Sequence, residues 1–444
     1  LFAISQRKTT AQVPVYSVYI AIDTVCHLRV SSWQGKRCAE GELDLQVDLY
    51  SGQAQVGASQ SLARKLRPLV AQIWGEACAG MDGVEVNHDF RPRAGRRLRA
   101  LEAAAAAQRL VITGAPGSGK STFGRHLAVC LAGQLLGKTE ANLGKLYARP
   151  RGVSSWMPWE EEPHLPLFVE LAGFVRSSSF PATAQDARAG QFIDYLTDQS
   201  AGAERDEAKE LHKYLAERGG RGAILILDGL DETPHAVDVR ARLRQCVQQF
   251  VRDFPEARVI VTSRPYAYQS GSPWRLDTDG FEQIELATLS PTQIDAFCVQ
   301  WYLGRAERGI AAEEAAHSQA ARLSSELASA PHLRPLAERP LMLTMLADLH
   351  SQQGRLPSSR AALYESSSEL LLDRWNEARE QARGEAKLST FFGLSHDKVR
   401  GAVETLAYRV HGDSVIGDSW RTSEGALFQA GSMLQALRDV GGKG

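Results

Sequence analysis

The stretch Leu110-Val111-Ile112-Thr113-Gly114-Ala115-Pro116-Gly117-Ser118-Gly119-Lys120-Ser121 joins an apolar, strand-like run to a glycine-rich turn with the spacing G-x-x-x-x-G-K-[ST]. The text that follows, Thr122–Ala132, has a helical pattern. A strand that turns through glycines into a helix start presents successive backbone N–H groups and the positive helix end to one point, an arrangement that binds a polyphosphate. In such a loop Gly114, Ala115, Pro116, Gly117, Ser118, Gly119 and Thr122 build the cradle, Lys120 reaches the β- and γ-oxygens and Ser121 holds Mg²⁺.

Working outward, the chain alternates strand-like and helical patterns from Arg109 to about Leu289. The strand-like runs are Leu110–Thr113, Leu167–Leu171, Ala223–Asp228, Arg258–Thr262 and Gln283–Leu286, while Ala148–Pro166, with its prolines, Trp156, Trp159 and Glu160–Glu162, reads as a loop. Runs such as Ile224-Leu225-Ile226-Leu227 are apolar on both faces, as strands of a parallel sheet covered by helices on each side require. The expected fold is therefore α/β, with ligand sites at the carboxyl end of the sheet.

Two of these strands end in reactive side chains. Ala223–Asp228 ends in an acid placed to bind Mg²⁺ directly or through its water, and Gly229-Leu230-Asp231-Glu232 brings further carboxylates within five residues. Repulsion among Asp228, Asp231 and Glu232 is costly unless a cation or a reaction requires them; Asp228 is the metal-side residue, and Asp231 or Glu232 orients or deprotonates an attacking water. Val259-Ile260-Val261-Thr262-Ser263-Arg264-Pro265 ends in a guanidinium, which reports on a γ-phosphate if this strand lies beside the phosphate-loop strand.

Composition bounds the remaining choices. The 444 residues carry 51 basic and 52 acidic side chains, for a net charge of -1, so there is no global pull toward nucleic acid or an anionic membrane. Arg91, Arg93, Arg96, Arg97 and Arg99 precede the alanine run Ala103–Ala107 and read as a solvated helix face rather than a nucleic-acid patch. The six cysteines are scattered without C-x-x-C spacing, which indicates neither a zinc site nor a disulfide framework. Cys130, Cys246 and Cys298 fall on expected helices as small buried hydrophobes. No run approaches the roughly 18–20 apolar residues of a membrane helix, and no secretory signal opens the chain, so a cytoplasmic protein is expected. The first residue is Leu1, which suggests a start inside a longer gene product.

Residues 1–90 mix β-like pieces, Val13–Ile22 and Leu43–Tyr50, with an amphipathic stretch, Ser61–Glu76, and show no catalytic pattern. After Leu289 helical patterns take over. Ser290-Pro291-Thr292-Gln293 offers a capping box with Pro at the first helical position, and Leu341–His350 and Ala361–Glu377 share helical periodicity. Trp301, Tyr364 and Trp375 read as core. The expected domains are residues 1–90, of unassigned role; 91–289, binding nucleotide; 290–383, helical; and 384–444, a linker from Gly384 with one further helix at Val399–Val410.

Taken together, Gly114–Ser121, Leu225-Ile226-Leu227-Asp228-Gly229-Leu230-Asp231-Glu232 and Thr262-Ser263-Arg264-Pro265 resemble the NACHT module of the STAND class of P-loop NTPases. The doubled acid after Asp-Gly-Leu is the most specific part, because AAA+ ATPases place a glutamate directly after the metal aspartate. Pro335-Leu336-Ala337-Glu338-Arg339-Pro340-Leu341 resembles the family's helical segment whose proline, here Pro340, packs near the adenine. The likeness covers about Gln108 to Trp375. It implies an ASCE/AAA+-like P-loop NTPase sheet followed by a helical domain and the start of a winged-helix domain. The family's ADP-contacting winged-helix histidine has only His396 and His411 as candidates.

The resemblance further implies an ATP/ADP switch with slow hydrolysis and Mg²⁺. In bacterial members it implies self-association on activation by an unknown ligand, sensed by a C-terminal region, and a part in anti-phage defence. ATP is expected over GTP because Gly280–Pro291 offers no guanine-reading N/T-K-x-D turn. The alternatives are an AAA+-like ATPase acting on nucleic acid and a nucleotide-binding scaffold without turnover.

Overall fold

The computed structural model describes residues 2–6, 9–13, 23–30, 45–51, 54–55, 96–139, 141–146, 164–199, 205–234, 236–268, 275–276, 279–306, 313–369 and 395–416. The stretches Ser61–Glu76, Trp156–Glu162, Leu371–Trp375 and 384–394, and the side chains of His396 and His411, lie outside the described residues.

Strands β1 (Phe2–Gln6) and β2 (Thr9–Val13) form an antiparallel pair. Strands β3 (Asp23–Val30), β4 (Leu45–Ser51), β5 (Ala54–Gln55) and β6 (Arg96–Arg99) form an antiparallel sheet in the order β5-β4-β3-β6. The arginine run was expected on a helix face; instead Arg96, Arg97 and Arg99 lie in β6, opposite β3. Four residues are too few for a 3.6-residue period to be told from a strand, and pairing with β3 decides the outcome. The alanine run does form a helix, α1 (Ala100–Ala106), and it leads into the central sheet.

That sheet contains β7 (Arg109–Thr113), β8 (Leu165–Glu170), β9 (Ala223–Asp228), β10 (Arg258–Ser263) and β11 (Glu282–Glu285), in the order β11-β7-β10-β9-β8 with every neighbouring pair parallel. All five expected strands are present to within two residues. β8 begins at Leu165, inside the expected loop; Pro166 is tolerated because β8 is the outer strand of the sheet, where a missing N–H need break no ladder.

Alternate residues of each strand point to opposite faces. Leu110, Ile112, Ile224, Ile226 and Ile260 pack with α1 and with Phe123 and Leu127 of α2 (Lys120–Leu135), a layer to which α3 (Leu143–Leu146) also contributes. Val111, Leu225, Leu227, Val259 and Val261 pack on the other face against α4 (Leu171–Arg176), α5 (Gln191–Gln199) and α7 (Val237–Asp253), with α6 (Arg205–Glu217) beside α5. Phe174 anchors that face, 4.7 Å from Phe192 and 5.6 Å from Tyr195 between ring centroids. Cys130, Cys246 and Cys298 form no disulfide among the described residues and are buried, and burial pushes the Cys246 and Cys298 thiols up to about 12. The structure is thus a parallel α/β sheet sandwiched by helices.

Helices α8 (Pro291–Ala306), α9 (Glu313–Ser329), α10 (Arg334–Ala337), α11 (Pro340–Gln353), α12 (Arg360–Glu369) and α13 (His396–Ile416) follow. The capping box forms as expected: the Ser290 N–H donates to Gln293 Oε1 at 2.8 Å, and the Gln293 N–H to Ser290 Oγ at 3.3 Å. Trp301 is buried and stacks on Phe297. Tyr364, expected in the core, is exposed: on α12 its neighbour Leu363 takes the buried position, and one residue is about a 100° step around a helix. The helical unit also encloses a polar relay in which Tyr302 bonds His350 and His350 faces Glu326.

By contacts the chain divides into Tyr19–Gly114 with Ser118–Leu289, and Leu1–Val18 with Ala115–Gly117 and Ser290–Gly444. No described helix is long and apolar enough to cross a membrane.

A half-buried cation caps the end of α1. Arg258 Nη1 donates to the carbonyls of Ala104 (3.3 Å), Ala105 (2.8 Å) and Ala107 (3.1 Å), which the helix itself cannot satisfy. Arg258→Met is expected to lower unfolding stability by about 1.5–3 kcal/mol, read from the shift in urea midpoint.

Candidate functional site

At the carboxyl end of the sheet, β7 runs into the glycine-rich loop. Gly117 and Gly119 have φ of +71° and +93°, which side chains other than glycine rarely adopt. Gly119 is the N-cap of α2 and no side chain caps it, so the helix start is available to an anion. Ser118 Oγ is buried and has no hydrogen-bond partner among the described residues. Lys120 turns back over the loop, and its Nζ donates to the Gly114 carbonyl at 2.6 Å. Ser121 and Thr122 occupy the first turn of α2, both half-buried. A buried hydroxyl without a partner among the described residues, an uncapped helix start and a lysine folded over the loop are groups that a phosphate tail would engage; the residues fit a polyphosphate.

β10 lies between β7 and β9, pairing Ser263 with Thr113 and Val261 with Leu227. The condition on which Arg264 could serve the phosphate loop is therefore met, since its strand is the neighbour of the loop's strand. The same adjacency gives Thr262 a role that the one-dimensional text did not show. Its Oγ1 donates to Asp228 Oδ1 at 2.6 Å and accepts the Gly229 N–H at 2.9 Å. Asp228 is thereby fixed in orientation, with one oxygen engaged.

The three acids have different environments. Asp231 is buried, its side chain only 5% exposed. Its Oδ2 lies 2.9 Å from Arg264 Nε, and its Oδ1 accepts the Arg264 backbone N–H at 2.9 Å. Glu232 is an exposed residue whose head group folds back over Gly229: a Cβ placed on that glycine would meet the Glu232 carboxyl at 3.3 Å. Burial of the head group, then repulsion from Asp231 and Asp228, raises the Glu232 carboxyl above the usual range, with Arg264 opposing. Burial also lowers Lys120 against the pull of Asp231, Asp228 and Glu232, while Arg264 lowers it further. Lys120, Asp228, Asp231, Glu232 and Arg264 thus form one electrostatic group.

Glu170, which belongs to no sequence motif, ends β8 level with Asp228, adds to the repulsion on Glu232, and pairs with Arg125 of α2 at 2.6 Å. The only signal in the text was an acid at a strand end, and nothing there placed β8 next to β9. Pro340 opens α11; the following residue, Leu341, donates its N–H to the Gly117 carbonyl at 3.1 Å, both residues belonging to the helical unit. Among the described residues no group of three or more His, Cys, Asp or Glu forms a metal cage. Mg²⁺ often binds through one or two protein ligands plus phosphate and water, so Ser121 and Asp228 would suffice as the protein's share.

No family model matches the chain, and no curated protein matches it. Among solved structures, a RuvB variant of Thermotoga maritima is similar with a TM-score of 0.29 at 13% identity, covering 76% of this chain and 90% of that one. Cdc6p from Pyrobaculum aerophilum gives 0.29 at 16% identity over 76% of this chain and 74% of that one. PCH-2 of C. elegans gives 0.26 at 12% identity over 66% and 70%. At such scores the fold rests on the strand order and the loop alone.

Thr262→Val leaves Asp228 Oδ1 and the Gly229 N–H without their hydroxyl, at an expected cost of about 1–3 kcal/mol in urea unfolding. Thr262→Ser, which keeps the hydroxyl, is expected to recover most of it.

Proposed function

We propose that this chain is an ATP/ADP-binding switch of the NACHT/STAND type, with slow ATP hydrolysis that resets a conformation. The observation that carries the reading is the meeting of Lys120, Asp228 and Arg264 at the ends of adjacent or next-neighbour strands, over an uncapped helix start. Gly114–Thr122 and Lys120 bind the phosphate tail, and Ser121 and Asp228 hold Mg²⁺. Bound there, the ion supplies charge neutralisation of the phosphate oxygens. Thr262 keeps the Asp228 carboxylate oriented. Glu232, the acid nearest solvent, accepts a proton from water. Arg264 answers to the presence of a terminal phosphate. Pro340 lies against the adenine, and the helical unit carries the nucleotide state onward by rotation about Leu289–Ser290.

Within the same reading, the protein is cytoplasmic, self-associates when activated and responds to an activating ligand. Anti-phage defence is the biological setting proposed. Support for these finer points is the motif resemblance, above all Asp228-Gly229-Leu230-Asp231-Glu232 followed by Thr262-Ser263-Arg264-Pro265.

Calorimetry with Mg-ATP tests the reading. Wild-type protein is expected to bind, and Lys120→Ala to bind at least about tenfold more weakly, the low end for loss of a charge-assisted bond. No uptake by folded wild-type protein would refute nucleotide binding. Glu232→Gln is expected to keep nucleotide affinity while phosphate release slows by about 10²–10⁴-fold.

The pH dependence has a definite sign. Glu232 accepts a proton only when ionised, and its environment disfavours ionisation, so turnover is lost on acidification at a pH above the ordinary glutamate value of about 4.3. A kcat profile is expected to show that acid limb in the wild type and to lack it in Glu232→Gln.

A further inference from the structure

We propose that Asp231 is a positioning residue for Arg264 and takes no proton from water: it holds the arginine by Nε and by its backbone N–H, leaving the terminal nitrogens for a terminal phosphate. This rests on the nucleotide-binding reading and deepens it, because it assigns the water-activating role to Glu232 alone.

The geometry separates the two acids. Both oxygens of Asp231 are taken, Oδ1 by the Arg264 N–H and Oδ2 by Nε, each at 2.9 Å. One carboxylate that binds a main-chain donor and a side-chain donor of the same residue closes a ring through Cα, Cβ, Cγ and Cδ. That ring fixes the arginine's first torsions, and an ordered arginine loses less entropy when it next binds. The backbone half of the clamp is set in advance. Pro265 follows Arg264 and biases it to extended geometry, and the Arg264 carbonyl accepts the Ala267 N–H at 3.2 Å as the chain enters the single turn Pro265–Tyr268.

Arg264 has spent Nε, not its fork. Among the described residues its two terminal nitrogens have no partner, and its side chain is 29% exposed. Those nitrogens form the planar pair of donors that suits a phosphate. Asp231, in contrast, is almost wholly withdrawn from solvent and its charge is matched by the guanidinium. A base must meet water, and the carboxylate that can do so here is the exposed Glu232. The doubled acid is therefore two devices: a clamp, followed by a base.

The test compares wild type, Asp231→Asn, Arg264→Gln and the double variant, using calorimetric affinities for ATPγS and ADP with Mg²⁺, alongside kcat and KM. If Asp231 acts through Arg264, Asp231→Asn reduces the preference for the triphosphate analogue over ADP by about tenfold, the loss of one charge-assisted bond. The double variant is then no worse than Arg264→Gln in either preference or kcat. A preference left intact in Asp231→Asn, or effects that multiply in the double variant, overturns the proposal.

Arg264→Lys keeps the charge but has no Nε to hold, and answers the question if Asp231→Asn does not fold. It is expected to lose the same preference, and an unchanged preference overturns the clamp. Wild-type protein that binds neither nucleotide overturns the underlying reading as well; wild-type binding with an unaffected Asp231→Asn sinks only the clamp.

Discussion

Everything at the site depends on β10 lying between β7 and β9. That position makes Ser263 the neighbour of Thr113 and brings Thr262 level with Asp228. A sheet in which β7 and β9 paired directly would join the glycine-rich loop to Asp228 with no strand between them. The inserted strand instead places a hydroxyl and a guanidinium among the acids. The strands that achieve this are buried on both faces, so the placement is held by the whole α/β sandwich rather than by local contacts.

The inserted strand also shows how the acids coexist. Carboxylates gathered in a partly desolvated turn repel, and each needs a different relief. Asp228 has the Thr262 hydroxyl, Asp231 has Arg264 at two points, and Glu170 has Arg125. Glu232 has none of these and bears the strain as a raised affinity for its proton. A poorly stabilised carboxylate near solvent is a better proton acceptor than one whose charge is already matched. The proposed division of labour rests on which acid, among the described residues, lacks a partner cation or hydroxyl in this arrangement.

Much of the sheet and the shape of the glycine-rich loop were legible in the text, for a physical reason. Strands such as Ile224–Leu227 must be apolar on both faces, and the turn Gly114–Ser121 must be glycine-rich to adopt positive φ, so both leave marks that need no knowledge of neighbours. What could not be read depends on register. Thr262 stood in a quoted motif without a role, because its partner is 34 residues away across a strand pair. Glu170 passed unnoticed for the same reason. Arg96–Arg99 looked like a helix face because the strand that claims them, β3, lies some 70 residues earlier. Tyr364 looked like core because an aromatic in a helical pattern carries no sign of which side the bundle occupies.

Charge balance at the site also bears on how its ligands would arrive. Asp228, Asp231 and Glu232 face Lys120 and Arg264, so the group is short of positive charge before anything binds. A phosphate tail alone would add several negative charges next to those acids, and a divalent ion alone would find too few protein oxygens, since no described cluster forms a cage. Together the two would offset each other, each supplying the charge that the other needs beside Asp228. The same acids that would disfavour free phosphate would favour a magnesium complex. On the proposed reading, selectivity for the complex over its parts would follow from the carboxylate excess, independently of any contact to the base.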